Sequence, residues 1–503
     1  MNPASDTHET QDSAAVPATP APAAHGHPRR PAQGALEPLA LRHELRDFER
    51  FPIAPLLKAG KPHVYRQCVE TMARTRDYAD KNLVGQVERW DEEAGRDHDF
   101  VPWSAIDAAL PYGFLRLNIP AVVGGTNFGL MAAAVFAEEL AAADAGFYVI
   151  YGAHSLALSL LIASLDTGII ARIGGEIADG EKRGKPVILA LAHTEAGGGS
   201  DVEDVDDLKT GRLASRFTKV PGGYRVTARK VFISNGSFAR YNVLTAWGDL
   251  KRPLDTMAGF VIPNDARGFQ VGRVEHKMGH RLSAACEILC DDVFVPDSHA
   301  FPIEGRSVDI TLSLTRGPVG AMSTGIIRGT LERTLAYLAQ KRVRGRWLFE
   351  EQWVKLALAD MLGALQAARG LYVDSALAGE EWGVFALTRM FPEHMPETVR
   401  KSRPFGKIMN HRSMVGLTRK LYRSQVPGDQ LQRLVSHASL AKFMCSDLAV
   451  STSMKAMEIL GEDANDPRWG VEKGMRDAKL AQIFEGTNQI NRLHVARGLL
   501  TGS

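Results

Sequence analysis

Four cysteines in 503 residues, Cys68, Cys286, Cys290 and Cys445, are too few and too scattered to staple a fold. Their one close pair, Cys-x3-Cys, lacks the partners a zinc site needs, and Cys286 and Cys290 read instead as one face of a strand. Charge of one sign is also missing. Sixty Lys and Arg against 58 Asp and Glu leave a formal +2, which excludes the broad basic footprint of a nucleic-acid binder. No stretch approaches about eighteen uninterrupted apolar residues, so no transmembrane span is predicted. Residues 1–38 are rich in Ala, Pro, Ser and Thr, carry Asp6, Glu9 and Asp12, and have no apolar run. That composition predicts a disordered tail rather than a signal or transit peptide, and with so few cysteines the expected compartment is the cytoplasm.

Apolar residues make up 45% of the chain, enough for sizeable cores, and the length allows about three domains. A charged, Arg-rich extension spans 39–62. From His63 the pattern turns helical, and 63–185 reads as a helical domain containing an Ala-rich helix at 130–145 and a mostly apolar, buried one at 152–170. At Pro186 the period changes. Segments 187–192, 224–234, 242–247, 259–263 and 286–295 read as strands of a β domain spanning 186–302. Helices return over 303–503, with 325–342 helical and Leu434, Ala438, Ala441, Cys445 and Leu448 in 3.6-residue spacing. The fold class is α+β.

Three motifs could carry chemistry. The segment 482–492, Gln-Ile-Phe-Glu-Gly-Thr-Asn-Gln-Ile-Asn-Arg, lies between an amphipathic run at 472–484 and a second helical run, so Glu485 falls at a corner. Gly486 lets the chain turn and Thr487 can cap the next helix. The pattern fits a surface Glu between two caps; it also fits a carboxylate fixed for abstracting a proton from carbon. The segment 193–201, His-Thr-Glu-Ala-Gly-Gly-Gly-Ser-Asp, follows the first strand. Its glycines either make a flexible turn or expose N–H groups to a flat ring or a phosphate. The G-x-G-x-x-G spacing of a dinucleotide fold is absent. In 230–236, Lys-Val-Phe-Ile-Ser-Asn-Gly, alternation puts Phe232 and Ser234 on one strand face, where they could pack ordinarily or meet one flat ligand.

In this order, with Met-Arg-Asp-Ala-Lys at 475–479 ahead of the corner and Ile119-Pro120, Gly124-Gly125 and Glu138-Glu139-Leu140 upstream, these motifs resemble those of the acyl-CoA dehydrogenase family over roughly residues 100–500. The resemblance implies an N-terminal helical domain, a central β domain and a C-terminal helical bundle, with FAD between the last two. It implies that Glu485 removes the α-proton of an acyl-CoA thioester while a hydride leaves the β-carbon for the flavin, giving a 2-enoyl-CoA. Leu191, His193, Thr194, Gly199, Ser200, Phe232, Ser234, Lys341, Thr487 and Gln489 become candidate FAD contacts. Ser200, Gly486 and Arg497 become candidate acyl-CoA contacts, Arg497 toward a CoA phosphate. An electron-transfer flavoprotein is the implied acceptor, and a homodimer or homotetramer the implied assembly. An acyl-CoA oxidase, or a non-catalytic flavoprotein or assembly partner that kept the fold, would share these motifs.

The chain departs from the family's wording in several places. Lys-Arg-Val-Arg-Gly-Arg at 341–346 stands where an Arg-x-x-Phe-Gly stretch reaches a neighbouring subunit's FAD, and Glu-Ile-Leu-Gly-Glu at 458–462 stands for Gln-x-x-x-Gly. Thr311 falls where an Arg usually follows an alternative base site near Ile310, and no Glu stands there. Thr227-Ala228 replaces an Asn-Gly turn. Residues 379–428 read as an insertion. Within it, 400–423 is basic without a carboxylate: Arg400, Lys401, Arg403, Lys407, Arg412, Arg419, Lys420 and Arg423. With its interleaved apolar residues it fits a solvated helical face, a CoA-phosphate patch or a peripheral membrane contact.

Overall fold

The computed structural model describes residues 45–126, 128–200, 213–384 and 411–500, together with 397–400, 402, 404 and 408. The predicted tail at 1–38 and Lys401, Arg403 and Lys407 of the basic segment lie outside the described residues. The extension ahead of His63 is more apolar in use than its charge suggests. Leu45, Phe48, Phe51 and Leu57 are buried, Arg46 pairs with Glu332, and the Arg369 guanidinium lies 4.1 Å from the Phe51 ring centroid.

The longer helices of the first helical region are α1 (Pro62–Asn82), α2 (Val87–Arg96), α3 (Leu130–Ala143), α4 (Ala145–Ala163) and α5 (Thr167–Lys182). The single helix expected at 152–170 is in fact the end of α4 and the start of α5. Asp144 caps α4 by accepting from the Phe147 N–H at 2.7 Å. Asp166 starts α5 by accepting from the N–H groups of Gly168 and Ile169 at 3.0 and 3.1 Å, after Leu165 has turned the chain at φ +53°. Apolarity alone could not see these caps. Helix α4 has the length and composition to cross a bilayer, yet 78% of its most apolar window is buried inside the protein.

Eight strands form one sheet: β1 (Leu189–Ala192), β2 (Arg216–Val220), β3 (Gly223–Ser234), β4 (Tyr241–Trp247), β5 (Met257–Pro263), β6 (Phe269–Val274), β7 (Ala285–Pro296) and β8 (Ala300–Pro302). Their order is β6-β7-β3-β2-β4-β5-β8, and β1 lies parallel to β4 with Leu191 opposite Val243. Strand β3 runs straight through Thr227-Ala228 with a register shift between Val226 and Ala228, so the replaced turn becomes a bulge. Cys286 and Cys290 are both buried on β7.

The C-terminal helices are α6 (Gly305–Leu338), α7 (Gln352–Trp382), α8 (Arg412–Gln425), α9 (Gly428–Leu460), α10 (Val471–Ala481) and α11 (Asn488–Leu500). Helix α6 starts about twenty residues before the expected 325 and continues through Pro318. Packing overrides local propensity here, because α6 is gripped along its length. At its crossing with α3, a Cβ on Gly325 would stand 2.5 Å from the Glu138 carbonyl oxygen and one on Gly329 2.4 Å from that of Ala142. Only glycine admits so close a contact. Nearby, Glu138 meets Arg369 at 2.6 Å, Arg328 at 3.3 Å and the Tyr372 hydroxyl at 2.7 Å. Burial alone would raise the Glu138 carboxyl, but the two guanidinium groups hold it below its ordinary value.

Candidate active site

Glu485 stands between α10 and α11 at φ +56°, a conformation that non-glycine side chains rarely adopt. The surrounding bonds explain why it persists. The buried Lys442 ammonium donates to the Gly486 carbonyl at 2.7 Å and to Asn488 Oδ1 at 2.8 Å. The Asn491 amide donates to the carbonyls of Gly486 and Thr487 at 2.9 and 3.0 Å. Thr487 Oγ1 lies 3.5 Å from the Ile490 N–H, a long cap, and Gly486 adds the second left-handed step at φ +73°. The carboxylate itself is half-buried, and Oε2 accepts from Thr315 Oγ1 of α6 at 2.9 Å. An anion so fixed and so oriented can act as a base.

The Gly-rich loop and β3 meet this corner. The Thr487 N–H donates to Ser200 Oγ at 3.1 Å, joining the end of the loop to the start of α11. The base of the loop is stapled by a buried ion pair: Lys230 Nζ lies 2.9 Å from Glu195 Oε1 and donates to the His193 carbonyl at 2.8 Å. Glu195 also accepts from the Ala214 N–H at 2.6 Å. The pair is structural, and it sets His193, whose Nδ1 lies 2.8 Å from Thr245 Oγ1 on β4. On β3, a register shift between Lys230 and Ile233 puts Phe232 at φ +59° with 63% of its surface exposed. A large aromatic ring on a left-handed backbone is unfavourable on both counts unless a flat partner covers it. Gly199 is exposed, and a Cβ there would meet nothing within 4 Å. An aromatic ring without a lid, a hydroxyl on Ser234 and an open glycine loop are what an isoalloxazine ring needs, so the residues present fit FAD.

Two cavities converge on Glu485. One, of about 200 Å³, lies between α3, α4, α6 and the β domain, and Leu191, His193, Thr194, Phe232, Ser234 and Glu485 all line it. Its far walls are mostly apolar, with Phe136, Leu314 and Met322 among them and Asn118 as a polar exception. The other, of about 60 Å³, leaves Glu485, Leu191 and His193 toward Leu160, Ile303 and Val308. Tyr148 and Thr315, which line the larger cavity beside Glu485, were not apparent in the sequence. Tyr148 is buried, and burial together with the Glu485 charge raises its phenol above the ordinary value, so it stays protonated. A trace of it exists in the Tyr148-x3-Gly152 spacing: a Cβ at Gly152 would stand 3.2 Å from the Tyr148 ring.

The corner is aimed by a clamp that joins all three regions. Lys473 of α10 reaches Asp144, the cap of α4, at 2.5 Å and Asp477 at 2.6 Å. Asp477 accepts from the His280 N–H at 2.6 Å, and the His280 ring meets Phe484 edge-on at 5.6 Å. A Cβ on Gly279 would stand 2.5 Å from the Arg476 carbonyl oxygen, so Met-Gly-His-Arg at 278–281 serves as a close-packing joint. Burial pushes His280 down to about 4, which keeps it neutral, while Arg476 reaches Asp91 of α2 at 2.6 Å.

Of the predicted contacts that line neither cavity, Gly199, Ser200, Gly486 and Thr487 belong to the loop and the corner that adjoin them, whereas Lys341, Gln489 and Arg497 do not. Lys341 pairs with Asp463 at 2.6 Å, next to the hairpin β9 (Arg342–Val343) and β10 (Arg346–Trp347). Gln489 is exposed on α11, and Arg497 is half-buried two turns further along it. No Glu stands on α6 near Ile310; the helix presents Thr315 to the site instead. Among the described residues no cluster of His, Cys, Asp or Glu could hold a metal ion.

A helical domain, a β sheet and a helical bundle around a positioned carboxylate and an uncovered aromatic ring define a flavin-dependent oxidoreductase acting on C–H bonds. The chain belongs to the acyl-CoA dehydrogenase family: models of the family's N-terminal, middle and C-terminal domains match residues 68–167, 190–293, and 306–383 with 419–500. It is 29% identical over 450 residues to cyclohex-1-ene-1-carbonyl-CoA dehydrogenase of Geobacter metallireducens, covering 87% of this chain and 99% of that one. It is 24% identical over 430 residues to the caffeyl-CoA reductase–Etf complex subunit CarC of Acetobacterium woodii, covering 84% and 96%. Among solved structures, a glutaryl-CoA dehydrogenase from Mycobacterium smegmatis in complex with FADH2 superposes with a TM-score of 0.64 at 20% identity, over 90% of this chain and 98% of that one. At that identity the likeness speaks for the fold alone.

Proposed function

We propose that this flavoprotein removes two hydrogens from Cα and Cβ of an acyl-CoA thioester, with Glu485 as the base, and passes the electrons to an electron-transfer flavoprotein. The observation that carries this reading is the Glu485 carboxylate, locked by its corner and by Thr315 at the junction of the two cavities. When bound, FAD supplies the two-electron acceptor for the hydride from Cβ. The chain's own part is to hold the reacting carbons. The larger cavity takes the acyl group and shields it from water, the smaller one admits the pantetheine arm, and the Cα proton ends on Glu485. The Glu485 N–H is the hydrogen-bond donor for the thioester oxygen. Leu191, His193, Thr194, Gly199, Ser200, Phe232, Ser234 and Thr487 form the flavin side. Gly486 and Ser200 border the thioester, and Lys341, Gln489 and Arg497 are contacts from the outer surface.

The electron-transfer partner is supported by the Acetobacterium woodii relative, a subunit of a caffeyl-CoA reductase–Etf complex. Oligomerisation is supported by the large apolar side chains exposed on α7, α9 and α11, among them Trp353, Leu356, Met454 and Leu493. The reading is tested by mixing the yellow, FAD-loaded protein anaerobically with a panel of straight-chain, branched and alicyclic acyl-CoAs. Bleaching of the flavin with formation of a 2-enoyl-CoA is expected for at least one member. A protein that takes up no FAD, or whose FAD no acyl-CoA reduces, contradicts it.

A further inference from the structure

We propose that helix α8 and the first turn of α6 build an anion subsite for the phosphates of the CoA moiety, with Arg306, Arg419 and Arg423 as its donors. The proposal rests on the acyl-CoA reading above and assigns a ligand to residues outside the chemistry.

Helix α8 is seated by Tyr422, which is buried, while Met414, Val415 and Leu421 turn half-buried toward the body of the protein. Arg419 donates through Nε and a terminal nitrogen to the Ser164 carbonyl at 3.2 and 3.0 Å, at the end of α4. Arg419 also stands 3.8 Å from Glu304, and Arg423 bonds the other oxygen of that carboxylate. Arg306 lies over the Tyr422 ring at 5.8 Å and donates to the Val426 carbonyl. Its Nε is buried without a hydrogen-bond partner among the described residues. A hollow of about 20 Å³ separates these groups. Among the described residues three guanidinium groups line it against the one carboxylate of Glu304, with Asp309 one turn along the same helix, so positive charge is in excess at the start of a 34-residue helix. Planar guanidinium forks suit phosphate oxygens, and the helix start adds to the attraction.

Position connects the hollow to the reaction. The smaller cavity runs from Glu485 to Leu160, Ile303 and Val308, and the hollow is bordered by Ala163, Ser164, Glu304 and Ser307, the next residues of the same two helix ends. From Thr315, which holds Glu485, to Arg306 is nine residues of helix, about 14 Å of axial rise, a span that a pantetheine arm bridges. Glu304 acts as a place-holder that a phosphate displaces. The inward turn of the apolar positions of α8, with Leu417 the one that is 50% exposed, favours this small anionic ligand over a bilayer.

The test is calorimetric titration of the FAD-loaded protein with free CoA and with pantetheine, which lacks the phosphates. The double variant Arg419→Gln/Arg423→Gln should weaken CoA by about 10- to 100-fold and shift pantetheine by less than about twofold. Glu304→Gln, which frees the two arginines, should tighten CoA, an outcome that a misfolded variant cannot give. If CoA binds the double variant as it binds the parent, or if both ligands weaken together, the subsite is refuted. If the variant instead loses binding to phosphatidylserine vesicles with its CoA affinity intact, the patch serves a membrane and the proposal is wrong. A parent protein that binds CoA in this way but reduces its flavin with no acyl-CoA would sink the dehydrogenase reading and leave the subsite standing.

Discussion

Replacing Lys230 by Met should uncouple the glycine loop from the sheet. The ammonium has no exposed surface, and its two partners, Glu195 Oε1 at 2.9 Å and the His193 carbonyl at 2.8 Å, lie on the loop that leads into the flavin side. Burial lowers Lys230 to about 8, offset by Glu195, so at pH 7 both members of the pair are still charged. Met fills the volume but leaves the carboxylate, among the described residues, with the N–H groups of Ala214 and Ser215. Breaking one partner of a buried pair costs about 3–5 kcal/mol. Denaturant unfolding followed by tryptophan fluorescence should show that loss, and gel filtration should strip FAD from the variant under conditions that leave the parent yellow. The double variant Lys230→Met/Glu195→Gln removes the stranded charge and should regain much of the stability. A single variant within about 1 kcal/mol of the parent, holding its FAD as tightly, would refute the role given to this pair.

Burial raises Glu181 from its ordinary 4.5 to about 7, against the opposing Leu115 N–H and Arg116. A raised value means stability that is full below pH 4.5 and is lost as pH climbs through 7. Glu181→Gln should therefore match the parent near pH 4 and exceed it by roughly 3 kcal/mol at pH 8, read from denaturation midpoints; equal midpoints at pH 8 would contradict this. Gly329→Ala should destabilise by about 1–3 kcal/mol because its Cβ would stand 2.4 Å from the Ala142 carbonyl oxygen. Gly363→Ala on α7, where a Cβ meets nothing within 4 Å, should be neutral or stabilising by about 1 kcal/mol.

What was legible in the sequence was what local chemistry dictates. Glu485 beside Gly486 read as a corner because glycine and a capping threonine punctuate helices, and the chain turns there. Phe232 and Ser234 were paired by strand alternation, yet the structure pairs them through a bulge and a left-handed Phe232, which alternation does not contain. Strands β2 and β6 went unseen because they are mostly exposed, with charged or small residues in place of an apolar period. The clamp of Asp91, Asp144, Lys473, Arg476 and Asp477 joins partners up to 385 apart in the chain, and no local pattern marks it. Thr315 escaped for the same reason: a threonine in mid-helix has no signature until the corner between α10 and α11 brings a carboxylate to it.

The central claim is that Glu485 is the base, and the rate of anaerobic flavin reduction in Glu485→Gln tests it most directly. The amide keeps the size and hydrogen-bonding shape of the corner, so the variant should load FAD and bind the acyl-CoA that the parent turns over. Stopped-flow mixing with that acyl-CoA should then show flavin reduction slowed by about 10²–10⁴-fold or more, since among the described residues no other carboxylate lines the larger cavity. A folded, flavin-loaded Glu485→Gln that reduces its flavin at the parent's rate would contradict the account.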